Sequence, residues 1–448
     1  MPKRLFSPKR LFSPKRPFDV SGLPIYYGWI ILVVGTLGMA AAVPGSPPGM
    51  SVFVDGMVAA LEMDLADFSL AYLLGTIAAG IGAPFAGRFV DLYGARVMGC
   101  LSFFCLGLVL IYAGLIVDCY KLLGGASSFS GLAFVLTFVA FSGMRLAGLG
   151  LAMTTCRSMI FRWFEGRRGL AAAINGSVLS LTFSSSPVLL NGFVLFVGWE
   201  MAWVWLGLLF LTFFTVIAYL FFRDSPEVCG MELERGGSKE KQKIRVPVVK
   251  EFTSREALRT PTFWIFASGL ALNALVGTGV AFHIVGLAAA EGVSRSVAVR
   301  VFLPEAIFHI VTTFLVGAFS EKIRLKYVLM LMITSQTVGL YGILNFGDPL
   351  LRWLFVLGGG IGWGCFGILI NVPWGRFYGR KHLGAINGWV TGVTVVTSAL
   401  GPYLYGLSNA QTGSYLPATL FCILLSPIAL FAAIFADNPQ VGIGKESG

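Results

Sequence analysis

The amino-acid sequence predicts an all-α membrane protein with twelve transmembrane helices in two six-helix, pseudo-symmetric halves. Hydrophobic residues make up 56% of the 448 residues and charged residues 12%, and the mean hydropathy is +0.80. A soluble domain usually carries about a quarter charged residues. Because a water-soluble core cannot absorb this much apolar surface, the composition indicates that a bilayer surrounds most of the chain.

The apolar residues recur in stretches of the length that crosses a bilayer, about 20 residues for a helix. The charged residues cluster between these stretches. The first stretch is long because "VPGSPPG" (43–49) interrupts it without ending it, and the alternative is that the first span stops near Pro44. The predicted spans are about 27–58, 67–87, 96–117, 131–158, 170–195, 202–222, 262–288, 298–319, 327–346, 351–375, 385–408 and 415–436.

A polar segment separates spans 6 and 7 and predicts the division of the chain. We expect a basic tail over 1–26, an N-terminal six-helix bundle over 27–222, a central loop over 223–261, a C-terminal bundle over 262–436 and a short tail over 437–448. The first tail contains a repeated PKRLFS. This repeat is typical of a disordered basic segment that touches anionic lipid, with phosphorylation of Ser7 or Ser13 as the alternative.

The placement of lysine and arginine predicts the orientation. The tails and loops on the side of the N-terminus hold 28 of the 33 basic residues, and cytoplasmic loops retain positive charge. We therefore expect a multi-pass protein of the plasma or inner membrane with both termini in the cytoplasm. The net charge of +11 follows from this topology, so it does not indicate nucleic-acid binding.

The two halves repeat each other's loop sequences. "RFVDLYGAR" follows span 2, and "GAFSEKIRLK" follows span 8. In each an acidic residue stands four positions after a glycine, Asp91 after Gly87 and Glu321 after Gly317. "AING" opens the span after a basic loop in both halves, at 173–176 and 385–388. Two pairs in matching positions indicate a parallel internal repeat.

The loop after span 2 carries a family motif. Gly87, Asp91, Gly94 and Arg96 stand in the pattern G-x-x-x-D-x-x-G-x-R, in which the second glycine allows a tight turn and the aspartate can pair with a cation or a helix N-terminus. With twelve spans and the repeat, this pattern resembles the major facilitator superfamily. The resemblance implies that these four residues form a gate on the cytoplasmic side.

Three further segments resemble the branch of monocarboxylate transporters and oxalate/formate antiporters. They are "YYGW" (26–29), "RWFEGRRGLAAAINGS" (162–177) and "VGWEMAW" after span 5. The chain departs from that branch at Glu200, where the branch usually has arginine, and in span 8, which lacks the aspartate–arginine pair of animal monocarboxylate carriers. The resemblance implies a secondary transporter of a small organic anion.

Ionisable residues inside membrane spans are rare and costly, so each is a candidate functional group. Arg145 lies near the middle of span 4 and stays charged at physiological pH, so it needs an interior partner. We expect it to bind a substrate carboxylate through bidentate hydrogen bonds. The alternative is a structural bridge to another span.

Span 8 contains Glu305 and His309, which share one helix face because they are four residues apart. His283 of span 7 lies at a similar depth, so the three side chains could meet. A carboxyl and an imidazole in this setting could bind and release a proton, which predicts a proton-coupling site at Glu305 and His309. The alternative is a buried pair that only holds spans 7 and 8 together.

We hypothesise a secondary active transporter that moves a small organic anion, a monocarboxylate, together with a proton by alternating access. Arg145, Asn273, His283 and Asn371 are the candidate substrate ligands, with interhelical hydrogen bonding as the default explanation of the asparagines. The seven cysteines show no metal or redox spacing, and we expect no cofactor, no metal and no enzyme activity. Two alternatives remain, an exporter of amphipathic compounds and a non-transporting membrane sensor with the same fold.

Overall fold

A computed structural model describes residues 17–20, 22, 24–50, 52–63, 65–124, 131–233, 248–320 and 322–441. The PKRLFS repeat, residues 234–247 of the central loop and Glu321 of the second loop motif lie outside these residues. Within the described residues the chain forms helices and turns and no β-strand.

The helices that precede the central loop are numbered here in chain order. They are α1 (Gly28–Ala41), α2 (Pro47–Met50), α3 (Val54–Ala60), α4 (Leu65–Tyr93), α5 (Ala95–Gly114), α6 (Ile116–Leu122), α7 (Leu132–Met144), α8 (Met153–Trp163), α9 (Arg168–Val197), α10 (Trp199–Leu209) and α11 (Thr215–Phe221). Two π-helical segments, Arg145–Ala152 and Phe210–Phe214, join α7 to α8 and α10 to α11.

The helices that follow the central loop continue the numbering. They are α12 (Ser254–Leu258), α13 (Pro261–Ala290), α14 (Arg295–Arg300), α15 (Phe302–Phe319), α16 (Leu325–Leu344), α17 (Arg352–Leu369), α18 (Val372–Phe377), α19 (Leu383–Thr412) and α20 (Leu416–Ile434).

Every predicted span coincides with helix. Ten helical segments of the described chain are long and apolar enough to cross a membrane. α1 is a shorter apolar helix, and the 30-residue α9 occupies the predicted fifth span. The all-α membrane architecture predicted from the sequence is therefore confirmed.

Two predicted spans have different limits in the structure. The first is not one long helix, because α1 ends at Ala41 and a 3-10 turn over Val43–Gly45 follows it. Proline lacks the backbone N–H that continues a helix, and the hydroxyl of Ser46 donates to the Val43 carbonyl at 2.6 Å. The eighth span begins at Phe302 rather than at 298, since the short helix α14 precedes it.

The described residues divide into two compact units. The first contains the residues up to Arg167 together with those from Leu181 to 233. The second contains Arg168–Ser180, the first part of α9, together with the residues from 248 onward.

Glycines set the packing around α17 in the second unit. A Cβ added at Gly360 would lie 2.5 Å from Cβ of Phe308, and one at Gly364 would lie 2.6 Å from Cβ of Thr312, both on α15. A Cβ at Gly358 would meet the backbone of α16 at Gly339. Small residues let helix backbones approach closely in membranes. The segment "GGGIGWGCFG" (358–367) therefore brings α15 and α16 against α17.

α13, one of two 30-residue helices in the second unit, packs against α19 and α20. α13 begins at Pro261, and the side chain of Thr260 caps it by accepting from the Phe263 N–H. Leu272, Val276, Val280 and Ile284 recur every four residues, and all four are buried in one apolar cluster. This packing fixes the face of α13 on which the polar candidates lie.

Candidate functional site

Arg145 is held by an irregular part of the first unit. It is the first residue of the π-helical segment Arg145–Ala152, between α7 and α8. Its side chain is buried, with 5% of the residue exposed. π-Helical segments inside α-helices are rare and occur frequently at functional sites, because the extra residue in the turn redirects the side chains.

The guanidinium of Arg145 has a tyrosine as its neighbour. Its Nη2 donates a hydrogen bond to the hydroxyl of Tyr72 on α4, and its Cζ lies 4.5 Å from the centre of the Tyr72 ring. Its Nε is buried and has no hydrogen-bond partner, and no carboxylate of the described chain forms an ion pair with it. Arg145 is therefore a buried cation that no neighbouring carboxylate neutralises.

Glu305 lies on α15 in the second unit and is 8% exposed. Its carboxyl group lies against Gly359 of α17, where an added Cβ would stand 2.5 Å from Oε1. Among the described residues, its carboxyl has no hydrogen-bond or ion-pair partner. A carboxyl group in such surroundings is costly as an anion, so protonation offers the simplest way to remove its charge.

His309 follows one helical turn after Glu305 but contacts a different residue. Its Nδ1 lies 3.1 Å from the hydroxyl oxygen of Ser180, which belongs to the part of α9 in the second unit. Its backbone carbonyl accepts from the hydroxyl of Thr313 at 2.8 Å. Within the described chain, Glu305 and His309 share a helix face without forming an ion pair.

His283 lies against α19 and α20. Its Nε2 is 2.9 Å from the carbonyl oxygen of Pro402, and its ring centre is 5.3 Å from that of Tyr415. One turn earlier on α13, the hydroxyl of Thr278 lies 2.7 Å from the Ser398 carbonyl and 2.6 Å from the Ala274 carbonyl of its own helix, so its single hydrogen serves both acceptors. Pro402 has no N–H to offer that carbonyl, so α13 supports α19 on both sides of its proline. The structure does not bring His283 into hydrogen-bond contact with Glu305 or His309.

The two candidate asparagines are both buried and each keeps one free polar atom within the described chain. Asn273 of α13 is 4% exposed, its Oδ1 lies close to Gly362 of α17, and its Nδ2 has no partner. Asn371 lies between α17 and α18 and donates from Nδ2 to the carbonyl of Gly367 at 2.8 Å, while its Oδ1 has no partner. Both can therefore offer a hydrogen bond to a ligand or a water.

The predicted gate motif forms a buried ion pair in the first unit. Asp91, in the last turns of α4, pairs with Arg162 near the end of α8. The two side chains are 8% and 10% exposed. Gly87 lies buried within α4, one turn before Asp91. The aspartate therefore binds a cation, the first of the two partners that its sequence motif allows.

The helix N-terminus within the motif is capped by another acid. Gly94 joins α4 to α5 with φ +84°, a conformation that favours glycine, and the N–H of Ala95 donates to Asp224. A Cβ at Gly94 would lie 2.5 Å from Oδ2 of Asp224. Arg96 donates from Nε to the carbonyl of Tyr219 at 2.7 Å and stacks over the Tyr219 ring. Asp91 thus connects α4 to α8, while the N–H of Ala95 and the side chain of Arg96 connect α5 to Asp224 and to Tyr219 of α11.

Sequence reasoning missed the partners of these groups. Tyr72, Arg162 and Asp224 lie far along the chain from Arg145, Asp91 and Ala95, and no local spacing links them. One signal was available for Tyr72, because a lone polar ring among the apolar residues of span 2 invites a polar partner in the bundle. In the described chain, no group of three His, Cys, Asp or Glu side chains is placed to hold a metal ion.

Long apolar helices with polar groups buried between them define a multi-pass α-helical membrane protein. The chain belongs to the Major Facilitator Superfamily, whose family model matches residues 28–402. This membership indicates a membrane transporter rather than an enzyme.

One curated relative belongs to the branch that the loop segments resemble. The chain is 26% identical over 237 residues to the oxalate:formate antiporter of Oxalobacter formigenes. The match covers 53% of this chain and 50% of that protein, so the chain spans about half the length of the curated relative it matches.

Solved transporter structures share the fold across nearly their whole length. A double tryptophan mutant of XylE has a TM-score of 0.60 at 16% identity, covering 92% of this chain and 98% of that one. A bacterial homologue of the iron transporter ferroportin, outward-facing with soaked iron, has a TM-score of 0.59 at 14% identity. The match covers 92% of this chain and 98% of that one. The human organic anion transporter MFSD10 (TETRAN) has a TM-score of 0.57 at 15% identity. The match covers 91% of this chain and 99% of that one. At these identities the likeness extends to the fold alone.

Proposed function

We propose that the chain is a secondary transporter that moves a small monocarboxylate across the membrane together with a proton. The observation that carries the proposal is Arg145, a buried cation with an unused Nε–H and no carboxylate partner in the described chain. A charge at the centre of a membrane helix costs at least about 2.5–3.5 kcal/mol. An anionic substrate is the partner that offsets this cost and leaves again after transport.

Glu305 and His309 are the proposed proton carriers. The carboxyl of Glu305 has no hydrogen-bond or ion-pair partner among the described residues, and the one hydrogen bond of the His309 ring there is with the hydroxyl of Ser180. A carboxyl group without a fixed counter-ion can gain and lose a proton as the solvent access to it changes. The anion and proton groups belong to different units, so alternating access would couple their occupancy.

Asn273 and Asn371 are proposed as hydrogen-bonding groups of the substrate pathway, since each keeps a free polar atom. His283 uses its Nε2 on the Pro402 carbonyl, so only its Nδ1 remains for a ligand. The residues of the gate motif close the cytoplasmic side, with both termini in the cytoplasm of a plasma or inner membrane. The positive charge of the loops on that side supports this orientation.

Uptake by reconstituted protein tests the anion role. Proteoliposomes that contain the full chain take up radiolabelled acetate or formate faster than empty liposomes, and Arg145→Ala lowers this uptake to the empty-liposome rate. Arg145→Lys keeps the charge but loses the bidentate geometry, so we expect intermediate uptake. Arg352→Ala is the matched control, because Arg352 donates to the carbonyl of Phe346 at the end of a helix. Equal uptake by wild type and Arg145→Ala would contradict the proposal.

The same preparations distinguish the proposed transporter from the two alternatives, an exporter of amphipathic compounds and a non-transporting sensor. Efflux of amphipathic compounds without carboxylate uptake would favour the exporter, and carboxylate binding without net flux would favour the sensor. Exchange or uptake of carboxylates by wild type supports the transporter that we propose.

A further inference from the structure

We propose that Tyr72 is a direct ligand of the substrate, and that its hydroxyl and the Nε–H of Arg145 together bind the two oxygens of one carboxylate group. This inference rests on the proposed function, because it assigns the way in which the anion at Arg145 is held. It goes beyond that function by adding a ligand residue that carries no charge and by giving a structural reason for the preference for a single carboxylate.

The chemistry of the two groups decides which atom donates in the hydrogen bond between Arg145 and Tyr72. A guanidinium has five N–H donors and no acceptor, whereas a phenol has one donor and accepts on its oxygen. Nη2 of Arg145 therefore donates, and the hydroxyl oxygen of Tyr72 accepts. The hydrogen of the Tyr72 hydroxyl is not used in this contact. No described residue accepts it, so Tyr72 keeps a free donor beside the cation.

Arg145 offers a second free donor on the same edge of its guanidinium. Nε and Nη2 lie on one edge of the planar group, the edge that carboxylates bind bidentately. Nη2 is already engaged with Tyr72, and Nε is buried without a partner in the described chain. A carboxylate that binds this edge meets Nε–H with one oxygen and the Tyr72 hydroxyl with the other.

The packing around Tyr72 holds the hydroxyl in place. The ring is half-buried, contacts Phe141 of α7 edge-on with centres 5.2 Å apart, and lies beneath the guanidinium. A ring fixed on both sides loses little further conformational freedom when a ligand binds. Tyr72 is therefore a preorganised donor rather than a mobile one.

The charges of the pair define the substrate class. Arg145 supplies one positive charge and Tyr72 supplies none, so together they neutralise a single carboxylate. A monocarboxylate such as acetate or formate matches this pair, whereas a dianion such as oxalate brings a second charge that the pair leaves uncompensated. We expect the site to bind acetate more tightly than oxalate at neutral pH.

Equilibrium binding of radiolabelled acetate to the purified full chain tests the assignment separately from transport. Tyr72→Phe keeps the ring that packs on Phe141 and removes the donor, and we expect acetate to bind about 10-fold more weakly or worse. Tyr72→His restores a donor on a ring and is expected to recover part of the affinity. Tyr112→Phe is the matched control, because that hydroxyl donates to the Leu136 carbonyl at 3.1 Å in the same unit. Thermal unfolding of each variant reports whether it folds.

Each outcome separates the two proposals. If wild type binds neither acetate nor oxalate, the proposed function fails. If Arg145→Ala abolishes acetate binding while Tyr72→Phe and Tyr72→His bind like wild type, the function stands and the assignment of Tyr72 is wrong. Weak binding by Tyr72→Phe, partial recovery in Tyr72→His and unchanged binding by Tyr112→Phe support Tyr72 as a ligand. Tighter binding of oxalate than of acetate would overturn the single-charge preference.

Discussion

The carboxyl group of Glu305 lies against the bare Cα of Gly359, so that a methyl group on this glycine would stand 2.5 Å from Oε1 and 3.1 Å from the carboxyl carbon. The two residues belong to α15 and α17, which approach closely along the glycine-rich face of α17. Gly359 therefore provides the space that the candidate proton carrier occupies.

Substituting that glycine should move the carboxyl group without removing it. We expect Gly359→Ala to reduce pH-gradient-driven acetate uptake about 10-fold, because overpacking typically costs about 1–3 kcal/mol and the carboxyl must shift to relieve it. Initial uptake rates in proteoliposomes with an acidic exterior measure the effect.

Gly367→Ala is the matched control for this substitution on the same helix. A Cβ there would lie 3.8 Å from the Thr313 hydroxyl, an ordinary contact, so uptake should stay close to that of wild type. If Gly359→Ala transports as well as Gly367→Ala, the position of the Glu305 carboxyl does not matter for coupling.

The ion pair between Asp91 and Arg162 should contribute strongly to stability. Breaking a buried pair leaves an uncompensated charge and typically costs about 3–5 kcal/mol, whereas removing both partners costs less than the sum of the single changes. We expect Asp91→Asn and Arg162→Gln each to lower the free energy of unfolding, with a favourable coupling of about 1–3 kcal/mol in the double-mutant cycle. Denaturant unfolding in detergent measures it.

An exposed ion pair of the same chain serves as the comparison. Lys326 contacts Asp437 at 2.7 Å, and Asp437 is 65% exposed, so Asp437→Asn should change stability by less than about 1 kcal/mol. Additive effects of Asp91→Asn and Arg162→Gln would show that the motif aspartate acts independently of Arg162.

The hydroxyl of Thr278 should stabilise the proline-containing helix α19. Besides the Ala274 carbonyl of its own helix at 2.6 Å, it reaches the Ser398 carbonyl at 2.7 Å, which Pro402 leaves without its helical N–H partner. Hydrogen bonds between membrane helices average about 0.6 kcal/mol and reach about 1.7, and we expect Thr278→Val to approach the upper value. The thermal unfolding midpoint of the purified protein measures the change.

Thr337→Val is the control for the threonine substitution. Thr337 is half-buried, as is Thr278, but its hydroxyl only donates to the Ile333 carbonyl of its own helix at 2.8 Å. Its loss should therefore change the unfolding midpoint little. Equal midpoints for the two variants would mean that the Ser398 carbonyl needs no external donor.

The fold was predictable because its signals are local in the sequence. A long apolar stretch is a sufficient signal for a helix in lipid, where every backbone polar group must be satisfied within the chain. The burial of Arg145 and Glu305 follows from the same reasoning, since each stands alone in an apolar stretch. The break in the first span is visible as "VPGSPPG", the segment in which the 3-10 turn Val43–Gly45 follows the end of α1.

The partners in the site were not predictable, because they depend on which helices approach each other and at what rotation. Tyr72 meets Arg145 only because α4 packs beside the π-helical segment, and a π-helical segment has no distinct sequence pattern. Helical spacing places Glu305 and His309 on one face, but Gly359 and Ser180 decide what each side chain contacts. The His283 partner is a backbone carbonyl, which carries no residue-type signal at all.

Acetate uptake by Glu305→Gln proteoliposomes, measured with and without an inward proton gradient, tests the central claim most directly. We predict that an acidic exterior accelerates uptake by wild type several-fold and leaves Glu305→Gln unchanged, while acetate binding at Arg145 persists in both. Gradient-stimulated uptake by Glu305→Gln equal to that of wild type would contradict proton coupling through this residue.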